Sequence, residues 1–205
     1  MNAPERIDPK TAQETAQSPV DSNGESKLAE ALMMTDDEYY PHILPKNIRP
    51  SIWRFKAMQP KIDMLIADPL KRADRRFLSL VNGDTPKDNP GALPGIFLGI
   101  QAFKPGEHIL PHRHNSFAIY HIMQGTGYSI VEGERITWER GDTFVCPAWA
   151  MHEHINDGTE LAVQYVVQDM VGRAYERNLM WEEPVGHFGH MVKGGFRPHN
   201  PELGD

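Results

Sequence analysis

The chain has a single cysteine, Cys146, in 205 residues, which excludes an internal disulfide and suits a reducing compartment. No apolar run approaches the roughly 20 residues a membrane-spanning helix needs. No apolar stretch follows a basic start, so neither a span nor a signal peptide is expected. Basic charge is also short: 21 Lys and Arg stand against 28 Asp and Glu, a formal net charge of −7. That balance argues against nucleic acid or an anionic membrane surface as partner. No internal repeat is visible, and the length fits one domain with extensions. A cytoplasmic location follows as the expectation.

Large apolar groups are scarce in residues 1–27, which are rich in Pro, Ser, Gln, Glu and Asp. Such a segment buries too little surface to offset its ordering entropy and reads as a disordered tail. Residues 28–94 read as a helical and irregular extension. Lys27 to Met34 suits a short helix, and Thr35 to Glu38 suits an N-cap. Trp53, Phe55 and Met58 form an apolar cluster expected to pack on a sheet. Ile62, Leu65, Ile66 and Leu70 recur at helical spacing, with Pro69 starting a new segment or kinking the first. Arg72 and Arg76 share a face if that helix continues; by spacing alone they are a solvated basic face.

From 95 to 170 the pattern is β. Strands are expected over 77–81, 96–103, 117–124, 128–131, 135–138, 143–147, 152–156 and 161–167. They are separated by Gly125-Thr-Gly127, Glu132-Gly133-Glu134, Gly141-Asp142 and Asp157-Gly158. Many short strands with regular turns predict an all-β closed or sandwiched barrel. Residues 171–205, rich in Gly, Pro and His, are expected to be irregular, with His187, His190 and His199 on the surface.

Histidine is concentrated in two places. His112 and His114 are two apart, as are His152 and His154. Side chains alternate along a strand, so each pair points one way. Two such pairs on facing strands can set three imidazoles around one ion. Imidazole suits Fe, Zn, Cu or Ni, and fewer than four protein ligands leaves positions open for chemistry.

Gly106, His112 and His114, followed by Gly125, resemble the first cupin motif, and Gly141, Pro147, His152 and Asn156 resemble the second. The resemblance implies a single cupin (double-stranded β-helix, jelly-roll-like) barrel with a metal at its mouth. A more specific likeness covers roughly residues 48–169. Trp53-Arg-Phe, Arg72 to Asn82, Pro111-His-Arg-His114, Gly125-Thr-Gly127, Glu132 to Arg135 and Pro147 to His154 are similar to the N-terminal half of the gentisate 1,2-dioxygenase family. Those enzymes usually carry two cupin domains and open an aromatic ring with O2 at a ferrous ion held by three histidines.

The resemblance implies His112, His114 and His152 as metal ligands and Fe(II) as the metal, with Ni, Mn, Zn or Cu as alternatives. It implies His154 as a substrate-side acid/base or hydrogen-bonding group, and Gln101, Arg72 and Arg76 as substrate contacts. Asn115 to Ile119 holds no carboxylate, unlike the general cupin pattern, and the gentisate branch lacks one there too. Three neutral imidazoles leave the ion its full charge, which favours an anionic chelating substrate. One position departs: Tyr120 stands where the family carries an arginine. Tyrosine donates a hydrogen bond but supplies no fixed charge, so gentisate itself is open and related dihydroxyaromatics become candidates. The expected function is a mononuclear Fe(II) ring-cleaving dioxygenase acting on a small aromatic substrate and O2, as a homo-oligomer. A metal-containing small-molecule-binding cupin without turnover is the alternative.

Overall fold

The structure is a computed structural model that describes residues 31–43, 47–69, 73 and 76–182 and, as strands, 188–192 and 195–198. Contacts divide the chain into two units, Met1–Lys46 and Asn47–Asp205. In the first, helix α1 spans Asp36–Ile43. Glu38 Oε2 accepts from both the backbone N and the Oγ1 of Thr35, at 2.8 and 2.9 Å. This is the returning arm of a capping box, and the acidic first turn complements the helix dipole. The expected helix over 27–34 is not seen where the chain is described: residues 31–34 are non-helical.

The second unit is built on two antiparallel sheets. The strands are β1 Phe77–Ser79, β2 Phe97–Phe103, β3 His108–His114, β4 Ala118–Gln124, β5 Gly127–Val131 and β6 Glu134–Trp138. They continue with β7 Thr143–Cys146, β8 His152–Ile155, β9 Ala162–Gln168, β10 Met180–Glu182, β11 Phe188–Val192 and β12 Gly195–Pro198. One sheet has the order β1-β2-β9-β4-β7, the other β12-β11-β10-β3-β8-β5-β6. Period-two patterning sets their faces. Along β4, Ala118, Tyr120 and Ile122 are buried while His121 between them is exposed. The inner faces meet in one core that includes Phe103, Ile109, Tyr120, Ile122, Trp138 and Phe144. This is the expected all-β barrel.

The outer face of the five-stranded sheet has a second core. Ile100, Ala102 and Val163 are covered by Met58 and Ile62, one turn apart on helix α2 Phe55–Ala67. The helix stops at Asp68, immediately before Pro69. Phe55, expected in this cluster, is instead 54 % exposed. It is the first helical residue and lines a cleft of ≈ 530 Å³ with Gln59, Met123 and Arg140.

Two local features aim the interior side chains. Glu132 and Gly133 both have positive φ, 50° and 85°, as a two-residue hairpin turn between β5 and β6 requires. On β3, Ile109 lies opposite His154, but His112 lies opposite His152, with a register shift between them. Leu110 and Pro111 on β3 thus face Glu153 alone on β8, which is a β-bulge. Ile109 and His112 differ by an odd number, so an unbroken strand would put them on opposite faces; the extra residue lets Ile109 and the histidines both turn inward. Pro111 sits in the bulge, where its missing N–H leaves no ladder bond unmade.

The segment expected to be irregular holds helix α3 Met170–Tyr175 and strand β10. β10 pairs with β3, Trp181 opposite His114 and Glu182 opposite Arg113, and so covers the edge of the strand that carries two histidines. Arg72, His187 and His199 lie outside the described residues. No helix among the described residues is long and apolar enough to cross a membrane.

Candidate metal centre

The two histidine pairs come from adjacent strands of one sheet, β3 and β8, which register His112 against His152. One ring nitrogen from each of His112, His114 and His152 lies within 4.8 Å of the others. The rings of His112 and His152 are 4.2 Å apart between centroids, those of His114 and His152 4.9 Å.

The outer nitrogens decide what the inner ones can do. Nδ1 of His112 lies 2.8 Å from the carbonyl of Leu110. Nδ1 of His114 lies 2.7 Å from the carbonyl of Ser116, and Nδ1 of His152 2.8 Å from that of Ala150. A carbonyl only accepts, so in each ring Nδ1 carries a proton, and in the neutral ring the lone pair is on Nε2. Metal-binding imidazoles are held this way, with the far N–H on a carbonyl or carboxylate. Nε2 of His152 is buried with no hydrogen-bond partner among the described residues. Burial, and after it the neighbouring His112, His154 and His114, push the His152 pKa well below its ordinary value. The ring is therefore neutral and ready to donate. The residues present fit a divalent transition metal.

The ligand strands are braced from outside. Trp149 takes positive φ, 66°, and its backbone N–H donates to the carbonyl of His114 at 2.7 Å. That bond ties the second histidine to the turn that launches the third. The Arg113 side chain points away from the histidines: its guanidinium lies 4.7 Å from the Trp149 ring and donates through Nε to Glu182 at 2.5 Å.

His154 is 1 % exposed, and its Nε2 also lacks a partner among the described residues. Burial, then His112, His114 and His108, lower its pKa well below the ordinary value. Tyr120, 2 % exposed, lies with its ring 4.6 Å from that of His154 and stacked at 5.0 Å on Phe144. It faces inward because it alternates with Ala118 and Ile122 on β4, not because one strand runs on from His114; residues 115–117 interrupt it. Burial first, and Cys146 second, raise its pKa well above the usual value, so the phenol stays protonated. Burial likewise lifts the Cys146 thiol to about 12 and leaves it unreactive.

Gln101 on β2 is 3 % exposed and lies opposite Gln164 on β9. Arg76 is 5 % exposed, with Nη1 on Glu107. Its Nε has no partner among the described residues. Arg76 is thus no solvated surface group, although its Nη1 is already engaged by Glu107. Burial opposes the Glu107 charge, yet the bonds from Arg76 and from the Lys104 backbone bring its pKa below the usual carboxylate value.

Sequence reasoning missed three interior polar residues. Gln164 is fully buried, with neither amide atom partnered among the described residues. Ser129 and Trp138 form a hydrogen-bonded chain to His154. The signal was a polar residue at an inward position between Gly127 and Val131, readable only once β5 is known to pair with β8. The outer cleft beside Phe55 borders none of these groups. The chemistry lies inside the barrel, where donors converge.

A β barrel of this topology with three imidazoles gathered about one point defines a cupin able to hold a metal, and the Cupin domain profile matches residues 99–168. The chain is 37% identical over 163 residues to 5-nitrosalicylic acid 1,2-dioxygenase of Bradyrhizobium sp, covering 77% of this chain and 79% of that one. Against gentisate 1,2-dioxygenase of Ralstonia sp it is 34% identical over 134 residues, 63% of this chain and 37% of that one. A variant of salicylate 1,2-dioxygenase from Pseudoaminobacter salicylatoxidans, solved with gentisate, superposes with a TM-score of 0.61 at 25% identity. The match covers 70% of this chain and 41% of that one. The chain belongs to the cupin family of aromatic ring-cleaving 1,2-dioxygenases. It spans most of the nitrosalicylate enzyme but well under half of the gentisate and salicylate enzymes.

Proposed function

We propose that this protein is a mononuclear Fe(II) dioxygenase that opens the ring of a hydroxylated aromatic acid, or a related dihydroxyaromatic, with O2. The observation that carries the proposal is the set of three imidazoles whose Nδ1 atoms are held on backbone carbonyls, aiming three neutral Nε2 donors at one point. His112, His114 and His152 would hold the metal. A ferrous ion there would bind substrate oxygens and O2 together and pass electron density between them.

The chain's own residues would do the rest. Tyr120, protonated and buried, offers an O–H to a substrate oxygen. Phe103, Phe144 and the Tyr120 ring exclude water from the interior. Gln101 presents an uncharged amide that orients the ring. Arg76 brings a buried cation, and its Nε, without a partner among the described residues, suits a substrate carboxylate. Arg72 is assigned to the same role by resemblance alone. With Tyr120 in place of the family arginine, carboxylate binding rests on fewer charges, so substituted salicylates and hydroquinones rank with gentisate as substrates. A homo-oligomer in the cytoplasm is the setting we assign to it.

The test is anaerobic loading of the purified chain with Fe(II), followed by O2-electrode assays with salicylate, 5-nitrosalicylate, gentisate, hydroquinone and catechol. Uptake matched by loss of the aromatic absorbance is expected with at least one. Metal and aromatic binding without O2 uptake across the panel would overturn the enzyme reading in favour of a binding cupin.

A further inference from the structure

His154 differs from its three neighbours in one respect: among the described residues its Nδ1 meets a hydroxyl and no carbonyl. That of His114 has the Ser116 carbonyl as well as, at 2.9 Å, the Ser116 hydroxyl. Ser129 Oγ lies 2.7 Å from His154 Nδ1. The two residues are direct cross-strand partners on β5 and β8, and both are fully or almost fully buried. A hydroxyl can donate or accept, so this contact alone leaves the tautomer open. The third member of the chain decides it. Trp138 Nε1 lies 3.0 Å from the same Oγ, and an indole nitrogen only donates. Ser129 Oγ therefore accepts from Trp138. Its own proton has one acceptor among the described residues, His154 Nδ1. A buried O–H without an acceptor costs roughly 1–3 kcal/mol, so the arrangement that satisfies Trp138, Ser129 and Nδ1 together has Ser129 donating to Nδ1, while Nε2 is without a partner among the described residues in either tautomer.

We infer that Ser129 and Trp138 lock His154 in the Nε2–H tautomer, so that its inward nitrogen is a hydrogen-bond donor to a substrate oxygen. Ser129 and Trp138 are positioning residues, and His154 is the group that touches substrate. In this form the ring has no inward lone pair. It can neither serve as a fourth metal ligand nor take a phenolic proton; it holds an oxygen acceptor instead. Four histidines in one barrel are thus sorted into three lone-pair donors and one proton donor by what stands behind each ring: a backbone carbonyl behind three of them, and a hydroxyl without a carbonyl behind His154. The role toward substrate rests on the dioxygenase reading above, whereas the tautomer does not.

The experiment is long-range nitrogen-15 NMR on the full chain, metal-free and again with diamagnetic Zn(II). For His154, Nδ1 in the unprotonated range and Nε2 in the protonated range are expected in both states. A proton on Nδ1, or loss of the Nε2 proton on adding Zn(II), would overturn the inference. Ser129→Ala should lose the single-tautomer signature and Ser129→Thr should restore it. With a substrate that supports O2 uptake, Ser129→Ala should lower kcat/KM ~10-fold or more and Ser129→Thr less than ~3-fold. Should Ser129→Ala not fold, the wild-type and threonine spectra decide. The expected tautomer without O2 uptake would end the dioxygenase reading alone; O2 uptake with an Nδ1 proton would end this one alone.

Discussion

A guanidinium at position 120 would have to be buried. Tyr120 is 2 % exposed, between Phe144 and the His154 ring. A cation without a partner there costs on the order of 3–5 kcal/mol. Tyr120→Arg should therefore lower Tm, and a carboxylate entering the barrel should recover part of the loss. In thermal-shift measurements gentisate should raise the Tm of the variant more than that of the parent. Equal shifts would remove position 120 from the specificity argument. A second residue carries a pH dependence. Arg49 donates to Asp84 through Nε and Nη2, at 2.8 and 2.7 Å, and its backbone N–H adds a third bond at 3.0 Å. These bonds hold the Asp84 pKa down at about 2, against about 3.9 for an unfolded aspartate. A depressed folded pKa contributes stability that is complete above about pH 4 and is lost as pH falls through 2. The urea midpoint of Asp84→Asn should lie below that of the parent at pH 5, and the gap should shrink by pH 2.5.

At the level of elements, α2 serves the sheet and not the metal. Ile62 is 2 % exposed under the outer face of β2 and β9. Ile62→Ala should cost roughly 2–5 kcal/mol in urea unfolding, while metal stoichiometry stays at the parental value because the histidines lie on the other sheet. The same division explains what the sequence disclosed. Strands β1, β2 and β4 to β9 were legible because alternation and turn residues are local signals, and so was the common direction within each histidine pair, which survives any choice of strand partner; that the pairs meet was implied by the resemblance to the cupin motifs. What depends on pairing was not legible. The Ser129 contact with His154 spans 25 residues and the Arg76 pair with Glu107 spans 31, and neither follows until strand neighbours are known. The bulge at Pro111 also escaped, since it breaks the alternation that sequence reasoning assumes. The C-terminal strands escaped for another reason: β10 is a three-residue strand held by its pairing with β3 on one side and β11 on the other, with no patterning of its own.

Over the second unit, the donors share one sheet and much of the opposing wall comes from the other. All four interior histidines stand on β3 and β8, while Tyr120, Phe144, Gln101 and Gln164 stand on β4, β7, β2 and β9. The donor set is complete within a single barrel, so metal affinity needs no second domain of the kind the longer relatives have room for. A metal bound by His112, His114 and His152 would clamp β3 to β8 across the bulge, where the ladder is interrupted. Binding to the folded state alone stabilises by about 2.7 kcal/mol when free metal is 100 times Kd. For a chain of this length that is roughly 5–10 °C in Tm. Dialysis against a chelator should lower Tm by that order, and restoring Fe(II) or Zn(II) should return it. His112→Ala provides the control: it should bind substoichiometric metal by elemental analysis, and its Tm should not respond to chelator. If that variant keeps one equivalent of metal and the parental response, the ion is held elsewhere and the three-histidine assignment fails.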